Sequence, residues 1–297
     1  MDKQAITGRI LQGIGGFYYV EAADGVYECR ARGSLRKLGV TPLAGDFVRI
    51  TPQDDGKGVL EEVIDRKNSL IRPPVANLDR LVLVISTTDP EPSLPVIDRL
   101  LAVAEHKGVE PVLVFNKTDL QPSEDIEALY RRAGFQTLSV CAADPATVEP
   151  LRDLLRGKLC AFAGNSGVGK SSVLNALYPD VGAAVGETSK KLGRGRHTTR
   201  SACLYPQEGG GYIADTPGFS SLDAQRLEHI DKDELADCFR EFEPYLGECR
   251  FTSCSHTGEK GCRVCQAVEA GEIARSRHES YAALYAEAKE WKEWENR

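Results

Sequence analysis

A glycine-rich turn between an apolar run and a helical stretch constrains this chain more than any other feature. The turn has the spacing G-x-x-x-x-G-K-S from Gly164 to Ser171, and it follows the apolar run Leu159–Ala163. Successive backbone N–H groups in such a turn surround a phosphate, and the positive end of the following helix points at it. A chance glycine-rich turn would not need a strand before it and a helix after it. We therefore predict a phosphate-binding loop.

The residues of this loop have separate expected roles. We expect Lys170 to reach the β- and γ-phosphates during catalysis, and Ser171 to place its hydroxyl on a magnesium ion. The predicted nucleotide-contacting residues are Gly164, Asn165, Ser166, Gly167, Val168, Gly169, Lys170, Ser171 and Ser172.

Length and composition limit the architecture. A chain of 297 residues usually needs more than one core, so two or three domains are expected. Its apolar runs are of strand length, which predicts neither export nor a membrane span. The net charge of −7 argues against broad binding to nucleic acids, so any RNA contact must be local. We expect a cytoplasmic monomer with no DNA or membrane partner.

Residues 1–72 are typical of a small β-barrel. Short strands are separated by turn signals such as Asp24-Gly25 and Asp55-Gly56. The strands predict an OB-fold, a barrel that often binds single-stranded RNA. The alternative interpretation is that the aromatic side chains fill the barrel core and that the charged side chains are only solvated. The predicted strands are Ala5–Ile14, Phe17–Ala22, Val26–Arg32, Asp46–Thr51 and Val59–Ile64, and the candidate RNA contacts are Phe17, Tyr18, Tyr19, Arg30, Arg32, Arg36 and Lys37.

Residues 73–222 alternate strand-length apolar runs with helical stretches, which indicates an α/β domain with a mostly parallel sheet. Asn116-Lys117-Thr118-Asp119 follows the strand Pro111–Phe115, at the edge where such sheets bind ligands. Asp119 can accept two hydrogen bonds from guanine that adenine cannot offer. Alone, N-K-x-D could be a turn in which Asp119 caps a helix. Beside a phosphate loop it predicts a guanine-binding motif.

A second phosphate-sensing motif follows the loop. The strand Gly211–Ala214 leads into Asp215-Thr216-Pro217-Gly218, where Asp215 is expected to hold magnesium through water and the Gly218 amide to meet the γ-phosphate. Between the two motifs, Glu187–Arg200 is rich in lysine and arginine and contains Thr198 and Thr199, one of which is expected to reach magnesium. A solvated flexible loop is the alternative there.

Residues 223–297 carry a cluster of cysteine and histidine. The spacing Cys249-x4-Cys254-x-His256-x5-Cys262 supplies three thiolates and one imidazole, which suits one tetrahedral structural zinc ion. Free thiols in a reduced domain are the alternative, and Cys265 is a fifth candidate that we expect not to bind the metal. Asp231–Phe242 and Glu272–Trp294 are predicted helices, and the second is expected to pack on the zinc-binding segment.

The order of the motifs is unusual. N-K-x-D precedes the phosphate loop and D-x-x-G, whereas common small GTPases place it last, so the G domain is predicted to be circularly permuted. Barrel, permuted G domain and Cys/His segment, in that order, resemble the ribosome-small-subunit-dependent GTPase A family. The resemblance implies a magnesium-dependent enzyme that hydrolyses GTP to GDP. It also implies binding to the 30S subunit and its 16S rRNA, assistance in late maturation of that particle, and stimulation by it.

The residue after Gly218 is Phe219, where many GTPases have a glutamine that orients the attacking water. We predict slow intrinsic hydrolysis and name His197 as the candidate that positions water, with a surface histidine or an RNA contact as the alternative. A different kind of function stays open as well. The protein could be an RNA-binding assembly module that uses GTP only as a conformational ligand.

Overall fold

The computed structural model describes residues 4–71, 74–179, 181, 202–215 and 229–291. Packing divides the chain into two compact units, which do not follow chain order. Unit 1 consists of Met1–Leu81, Ala142–Ala163 and Lys170–Phe219, and unit 2 consists of Val82–Cys141, Gly164–Gly169 and Ser220–Arg297. The predicted domain limits after residues 72 and 222 stay a prediction.

Strands dominate the first half of the chain, and helices alternate with strands after it. The strands are β1 (Ile6–Ile14), β2 (Phe17–Ala22), β3 (Gly25–Ala31), β4 (Phe47–Pro52), β5 (Lys57–Val63), β6 (Ser69–Leu70), β7 (Val75–Ala76), β8 (Arg80–Ser86), β9 (Glu110–Asn116), β10 (Gln136–Val140), β11 (Leu159–Ala163), β12 (Cys203–Pro206) and β13 (Tyr212–Asp215). The α-helices are α1 (Gly33–Lys37), α2 (Leu94–His106), α3 (Glu124–Arg132), α4 (Glu149–Leu155), α5 (Lys170–Leu177), α6 (Arg263–Glu269) and α7 (Arg275–Glu290). Among the described helices, none combines the length and the apolar character that crossing a lipid bilayer requires.

Five strands of unit 1 close into a barrel. β1 pairs with β2, β2 with β3, β3 with β5, β5 with β4, and β4 returns to β1. The β3–β5 pairing is parallel and the other four are antiparallel. Closure leaves no free edge among these strands, which confirms the predicted OB-like barrel. Its buried core consists of Ile10, Val20, Cys29, Leu35, Val48, Ile50 and Leu60.

The turn between β4 and β5 shows why the sequence signal was reliable. Asp55 and Gly56 both have positive φ, 59° and 68°. Tight hairpin turns require this conformation at their central residues, and Asp-Gly adopts it at low cost. The predicted turn at Asp55-Gly56 is therefore confirmed.

The barrel continues into a further set of strands in the same unit. Gln12 of β1 pairs with Cys203 of β12, β12 pairs with β13, and β13 runs parallel to β11. Arg9 of β1 lies 5.2 Å from the ring centre of Tyr212, the first residue of β13, and the Tyr212 hydroxyl donates to Glu21 of β2. Main-chain pairing and side-chain contacts thus join the barrel to the strand that ends at Asp215.

In unit 2 the strands β10, β9 and β8 are neighbours in this order, and β10 and β9 run parallel. β8 begins in unit 1 at Arg80 and enters unit 2 at Val82. β8 is an almost continuous run of buried residues, and seven residues of α2 are buried. Leu94 and Pro95 open α2, where proline fits because the first helical turn needs no N–H donor.

The C-terminal part of unit 2 corrects one prediction. Asp231–Phe242 was predicted as a helix, but the chain there forms turns and two 3₁₀ segments, Ala236–Cys238 and Arg240–Tyr245. Phe239 between them is extended (φ −115°, ψ 95°), and Phe239 and Phe242 are both buried. Residues three apart share one face of an α-helix, so burial of these two rings does not by itself exclude a helix. The extended backbone at Phe239 interrupts it, and the Phe239 ring lies 5.2 Å from the rings of Phe242 and Tyr281. By contrast, the predicted C-terminal helix exists as α7, although it is shorter.

A buried ion cluster fastens α7 to the rest of unit 2. The Arg277 guanidinium donates to Asp98 of α2 at 2.7 Å and to Glu241 at 2.6 Å. The Tyr130 hydroxyl donates to the same oxygen of Asp98 at 2.9 Å. Arg277 is 1% exposed and Asp98 0%. Burial alone would lower the pKa of Arg277, but the carboxylates of Glu241 and Asp98 raise it, so the guanidinium stays charged.

Replacing Arg277 by methionine should lower the free energy of unfolding by about 3–5 kcal/mol, because two buried carboxylates lose their cation. Urea unfolding followed by tryptophan fluorescence measures this, since both tryptophans, Trp291 and Trp294, lie at the C-terminus. Arg275→Met is the matched control: Arg275 is exposed on the same helix, and its loss should change stability by less than about 0.5 kcal/mol. Equal stability of the two variants would contradict the assigned role of the cluster.

Candidate nucleotide site and metal cluster

Two glycines of the predicted phosphate loop sit where no side chain fits. Gly164 has φ +142°, and a Cβ on it would lie 2.2 Å from the Val84 carbonyl oxygen. Gly169 has φ +94°, and a Cβ there would lie 2.2 Å from Asn116 Nδ2. Both positions thus combine a left-handed backbone with close contact to a neighbouring strand. This explains locally why the sequence has glycine at both ends of the loop.

The N-K-x-D motif contacts the phosphate loop directly within unit 2. Asn116 is 2% exposed, and its Nδ2 donates a 3.0 Å hydrogen bond to the carbonyl oxygen of Val168. The two motifs are 52 residues apart in the chain. The structure therefore brings together Asn116 and the loop Gly164–Gly169, as the sequence predicted.

The remaining residues of the motif are held by their own contacts. Lys117 has φ +67°, which is uncommon for a residue with a side chain, and its Nζ donates to the Asp89 carbonyl oxygen. The Thr118 hydroxyl donates to the carbonyl oxygen of Val140 at 3.0 Å. Asp119 is exposed, so its carboxylate is accessible to a ligand.

Asp215 ends β13 in unit 1. Ala161 of β11 pairs with Ala214, so Asp215 stands at the carboxyl edge of both strands, where β11 leads into the phosphate loop. Burial raises the pKa of Asp215 to about 6. Burial also lowers the pKa of Lys170, at the start of α5. Partial burial of opposite charges on Asp215, which ends β13, and Lys170, which begins α5, is typical of a site that binds an ionic ligand.

Several predicted residues lie outside the described part of the chain. They are His197, Thr198, Thr199 and Gly218, together with Thr216, Pro217, Phe219 and the basic segment Glu187–Arg200.

Three thiols and one imidazole converge in the C-terminal segment. The ligand atoms of Cys249, Cys254, His256 and Cys262 all lie within 4.8 Å of one another. His256 Nδ1 is 3.5 Å from both Cys249 Sγ and Cys262 Sγ, and these two sulfurs are 3.9 Å apart. Ligands of one tetrahedral zinc ion, bound at about 2.0–2.3 Å, lie roughly 3.3–3.8 Å apart. The cluster is therefore compatible with zinc.

The fifth thiol belongs to the surroundings of this cluster. Cys265 Sγ lies 3.7 Å from the His256 carbonyl oxygen, and the Cys265 backbone N–H donates to Cys262 Sγ at 3.4 Å. The Arg263 N–H likewise donates to Cys249 Sγ at 3.3 Å. Such N–H donors stabilise metal-bound thiolates, so Cys265 supports the cluster through its backbone.

Sequence reasoning missed the residues that shape the loop of this cluster. The Tyr281 hydroxyl donates to the Ser255 carbonyl oxygen at 2.8 Å, and His278 Nε2 donates to that of His256 at 2.7 Å. Glu259 accepts from the N–H groups of Ser255 and Thr257. Burial works against ionisation of Glu259, but the hydrogen bond from the Ser255 hydroxyl, together with those from backbone N–H groups, lowers its pKa to about 2. The predicted packing of the C-terminal helix on the metal segment is confirmed by Tyr281 and His278.

Two family models match the chain. The model described as RsgA GTPase matches residues 63–225, and the RsgA N-terminal domain matches residues 7–60. The chain belongs to the RsgA GTPase family. It is therefore a GTPase, and the resemblance predicted from the order of its motifs is confirmed.

Curated relatives and solved structures agree with this family. A small ribosomal subunit biogenesis GTPase RsgA from Caldanaerobacter subterraneus subsp. tengcongensis is 43% identical over 290 residues, 97% of each chain. One of the same name from Alkaliphilus metalliredigens is 44% identical over 287 residues, covering 95% of this chain and 97% of the relative. YjeQ from Thermotoga maritima superposes with a TM-score of 0.81 at 35% identity, covering 97% of this chain and all of that one. YloQ, titled a circularly permuted GTPase, has a TM-score of 0.79 at 33% identity, covering 98% of this chain and 97% of that one.

The expectation that Asp215 holds magnesium predicts that magnesium binding depends on pH. From a pKa of about 6, the ionised fraction of Asp215 falls about fourfold between pH 7.5 and 5.5. Because a metal needs the carboxylate form, the apparent magnesium affinity of the GDP complex should fall by a similar factor. Magnesium titrations of the fluorescent GDP complex at both pH values measure this.

Asp215→Asn is the control for that experiment, because the terminal phosphate of GDP also titrates near pH 6 and is present in both proteins. The variant should bind magnesium more weakly and show a smaller pH effect than the wild type. An identical pH effect in both proteins would assign the titration to the nucleotide alone.

Proposed function

We propose that Asn116–Asp119 read the guanine base of GTP and that Gly164–Ser172 bind its phosphates. The observation that carries this is the hydrogen bond from Asn116 Nδ2 to Val168 O, because it fixes the base-reading motif to the phosphate loop. Asp119 accepts from two guanine donors, so a base without them leaves its carboxylate unpaired. The contacts of Lys117 and Thr118 fix the backbone between Asn116 and Asp119.

The residues that would contact the phosphates and magnesium lie in the loop and helix after β11 and at the end of β13. Lys170 would neutralise the β- and γ-phosphates, and Ser171 and Asp215 would hold magnesium. Magnesium supplies charge stabilisation to the phosphate oxygens when bound. From the sequence we expect Thr198 or Thr199 to reach the same ion, the Gly218 amide to meet the γ-phosphate, and His197 to position the attacking water.

The partner on which the protein acts is the small ribosomal subunit. The relatives from Caldanaerobacter and Alkaliphilus are named small ribosomal subunit biogenesis GTPases, and each aligns with at least 95% of this chain. The barrel supports a local contact to 16S rRNA, because Arg30 lies 4.6 Å from the ring centre of Phe17 on an accessible face. An aromatic ring with a cation above it suits an unpaired base. Such a protein works as a monomer in the cytoplasm, where these subunits mature.

The second metal site is structural. Cys249, Cys254, His256 and Cys262 hold one zinc ion, and four protein ligands leave no open position for chemistry. The ligand atoms lie close enough together for a single ion. Zinc then fixes the loop on which Tyr281 and His278 pack.

Asp119→Asn should reverse the base preference. The variant exchanges an acceptor for a donor, so GTP affinity should fall at least about a hundredfold while xanthosine triphosphate affinity rises. Competition titrations against a fluorescent guanine nucleotide measure both. Asp125→Asn, an exposed acid in α3, is the control and should leave both affinities unchanged. Unchanged GTP affinity in Asp119→Asn would refute the guanine assignment.

GTP turnover with and without purified small subunits tests the function itself. Wild-type protein should hydrolyse GTP slowly alone and at least about tenfold faster with the particle. We expect binding of the particle to bring the water-orienting group, His197, into position. His197→Ala should keep its GTP affinity but lose most of the stimulated rate, because the group acts only in the transition state. No stimulation of the wild type by any RNA or particle would favour an assembly module that uses GTP as a conformational ligand.

A further inference from the structure

The loop that follows β8 contacts the N-K-x-D motif at two consecutive residues. The Thr87 backbone N–H donates to the Asn116 carbonyl oxygen at 3.0 Å, and the Thr87 hydroxyl donates to the Lys117 carbonyl oxygen at 2.9 Å. Thr87 is 5% exposed. It belongs to none of the predicted nucleotide motifs, and all of these residues lie in unit 2.

Lys117 between these contacts has a backbone conformation that it would not adopt by preference. Its φ of +67° lies in the left-handed region, where the Cβ of an L residue crowds the backbone. Such conformations persist only where surrounding contacts impose them. Here the Thr87 N–H holds the Asn116 carbonyl oxygen before Lys117, and the Thr87 hydroxyl holds the carbonyl oxygen of Lys117 itself. The hydrogen bond from Thr118 to Val140 holds the residue after it.

We infer that Thr87 is a positioning residue for guanine-nucleotide binding, because its hydroxyl holds Lys117 in the left-handed conformation that the motif uses. This rests on the proposed guanine-reading role of Asn116–Asp119. Without the hydroxyl, Lys117 relaxes toward ordinary right-handed or extended backbone. The free protein then populates the binding-competent motif only part of the time, and apparent affinity falls by that fraction.

The same loop also holds the Lys117 side chain. Lys117 Nζ donates to the Asp89 carbonyl oxygen, which also accepts from the Ser86 hydroxyl at 3.2 Å. The loop Thr87–Asp89 thus fixes both the backbone and the ammonium of one lysine. In metalloproteins, residues that do not contact the metal often orient the side chains that bind it. The loop Thr87–Asp89 would act on the nucleotide in the same indirect way, through Lys117.

Thr87→Val tests this, since valine keeps the size and branching of threonine and removes only the hydroxyl. We expect Kd for GDP and KM for GTP to rise roughly tenfold, as for loss of one well-placed hydrogen bond. The value of kcat at saturating GTP should stay within about twofold, because the motif binds the base and not the reacting phosphate. Stopped-flow release of a fluorescent GDP should be faster by a similar factor.

Thr87→Ser retains the hydroxyl and should restore wild-type affinity. Thr88→Val is the matched control in the same loop, because the hydrogen bond that anchors Thr88 is made by its backbone N–H to Ser86. Thermal unfolding without nucleotide identifies any variant that fails to fold. If Thr87→Val does not fold, Thr87→Cys, which keeps a weaker donor of similar size, should give an intermediate Kd.

Wild-type affinity in a folded Thr87→Val or Thr87→Cys protein would overturn the inference, as would a loss confined to kcat. The Asp119→Asn titration distinguishes this failure from failure of the proposed function. If Asp119→Asn changes base preference while Thr87→Val binds normally, only the role of Thr87 is wrong. If Asp119→Asn leaves GTP affinity unchanged, the guanine assignment itself fails.

Discussion

The buried hydrogen bond from Asn116 Nδ2 to Val168 O is the contact on which the nucleotide-binding part of unit 2 depends. It uses the amide of one motif to satisfy a carbonyl of the other, and Gly169 must lack a side chain for the amide to approach. A buried carbonyl without a donor is costly, so the two motifs stabilise each other's conformation. This contact is indifferent to chain order. A circular permutation that moves N-K-x-D ahead of the phosphate loop can therefore preserve the site, provided that β9 still ends beside the loop.

Helix α2 connects this region with the C-terminal segment inside unit 2. Val96, Ile97 and Leu100 line a recess together with Gly164, Asn165 and Val168 of the phosphate loop. Elsewhere on the same helix, Asp98 accepts from Arg277, and Glu105 accepts from Arg240 at 2.8 Å. Arg277, His278 and Tyr281 lie within five residues on α7, so the helix that binds Asp98 also holds the carbonyls of the metal loop. Helix α2 thus borders the phosphate loop and, through Asp98, binds the helix that contacts the metal loop.

Much of this arrangement was predictable because its signals are local. The barrel strands, β8 and α2 follow from hydrophobic period, and the phosphate loop and the Cys/His cluster follow from spacing along a short stretch. The predicted helix at Asp231–Phe242 is wrong because the backbone is extended at Phe239, whose ring packs against Tyr281, a residue distant in the chain. Thr87, Glu259 and Arg277 were missed for another reason. Each acts through a partner brought near by the fold, and a threonine, a glutamate and an arginine carry no local mark of that role.

The buried ion cluster around Arg277 is better explained by specificity than by stability. Moving three charges out of water is costly, and within the described part of the chain Asp98 Oδ2 has no hydrogen-bond partner. Apolar side chains of similar volume would pack α7 against α2 at lower cost, but they would permit the helix to slide or rotate. The guanidinium binds two carboxylates on different segments, Asp98 on α2 and Glu241. Both contacts can form in a single arrangement only. We infer that the cluster fixes the register of α7, and with it the position of the metal loop that His278 and Tyr281 contact.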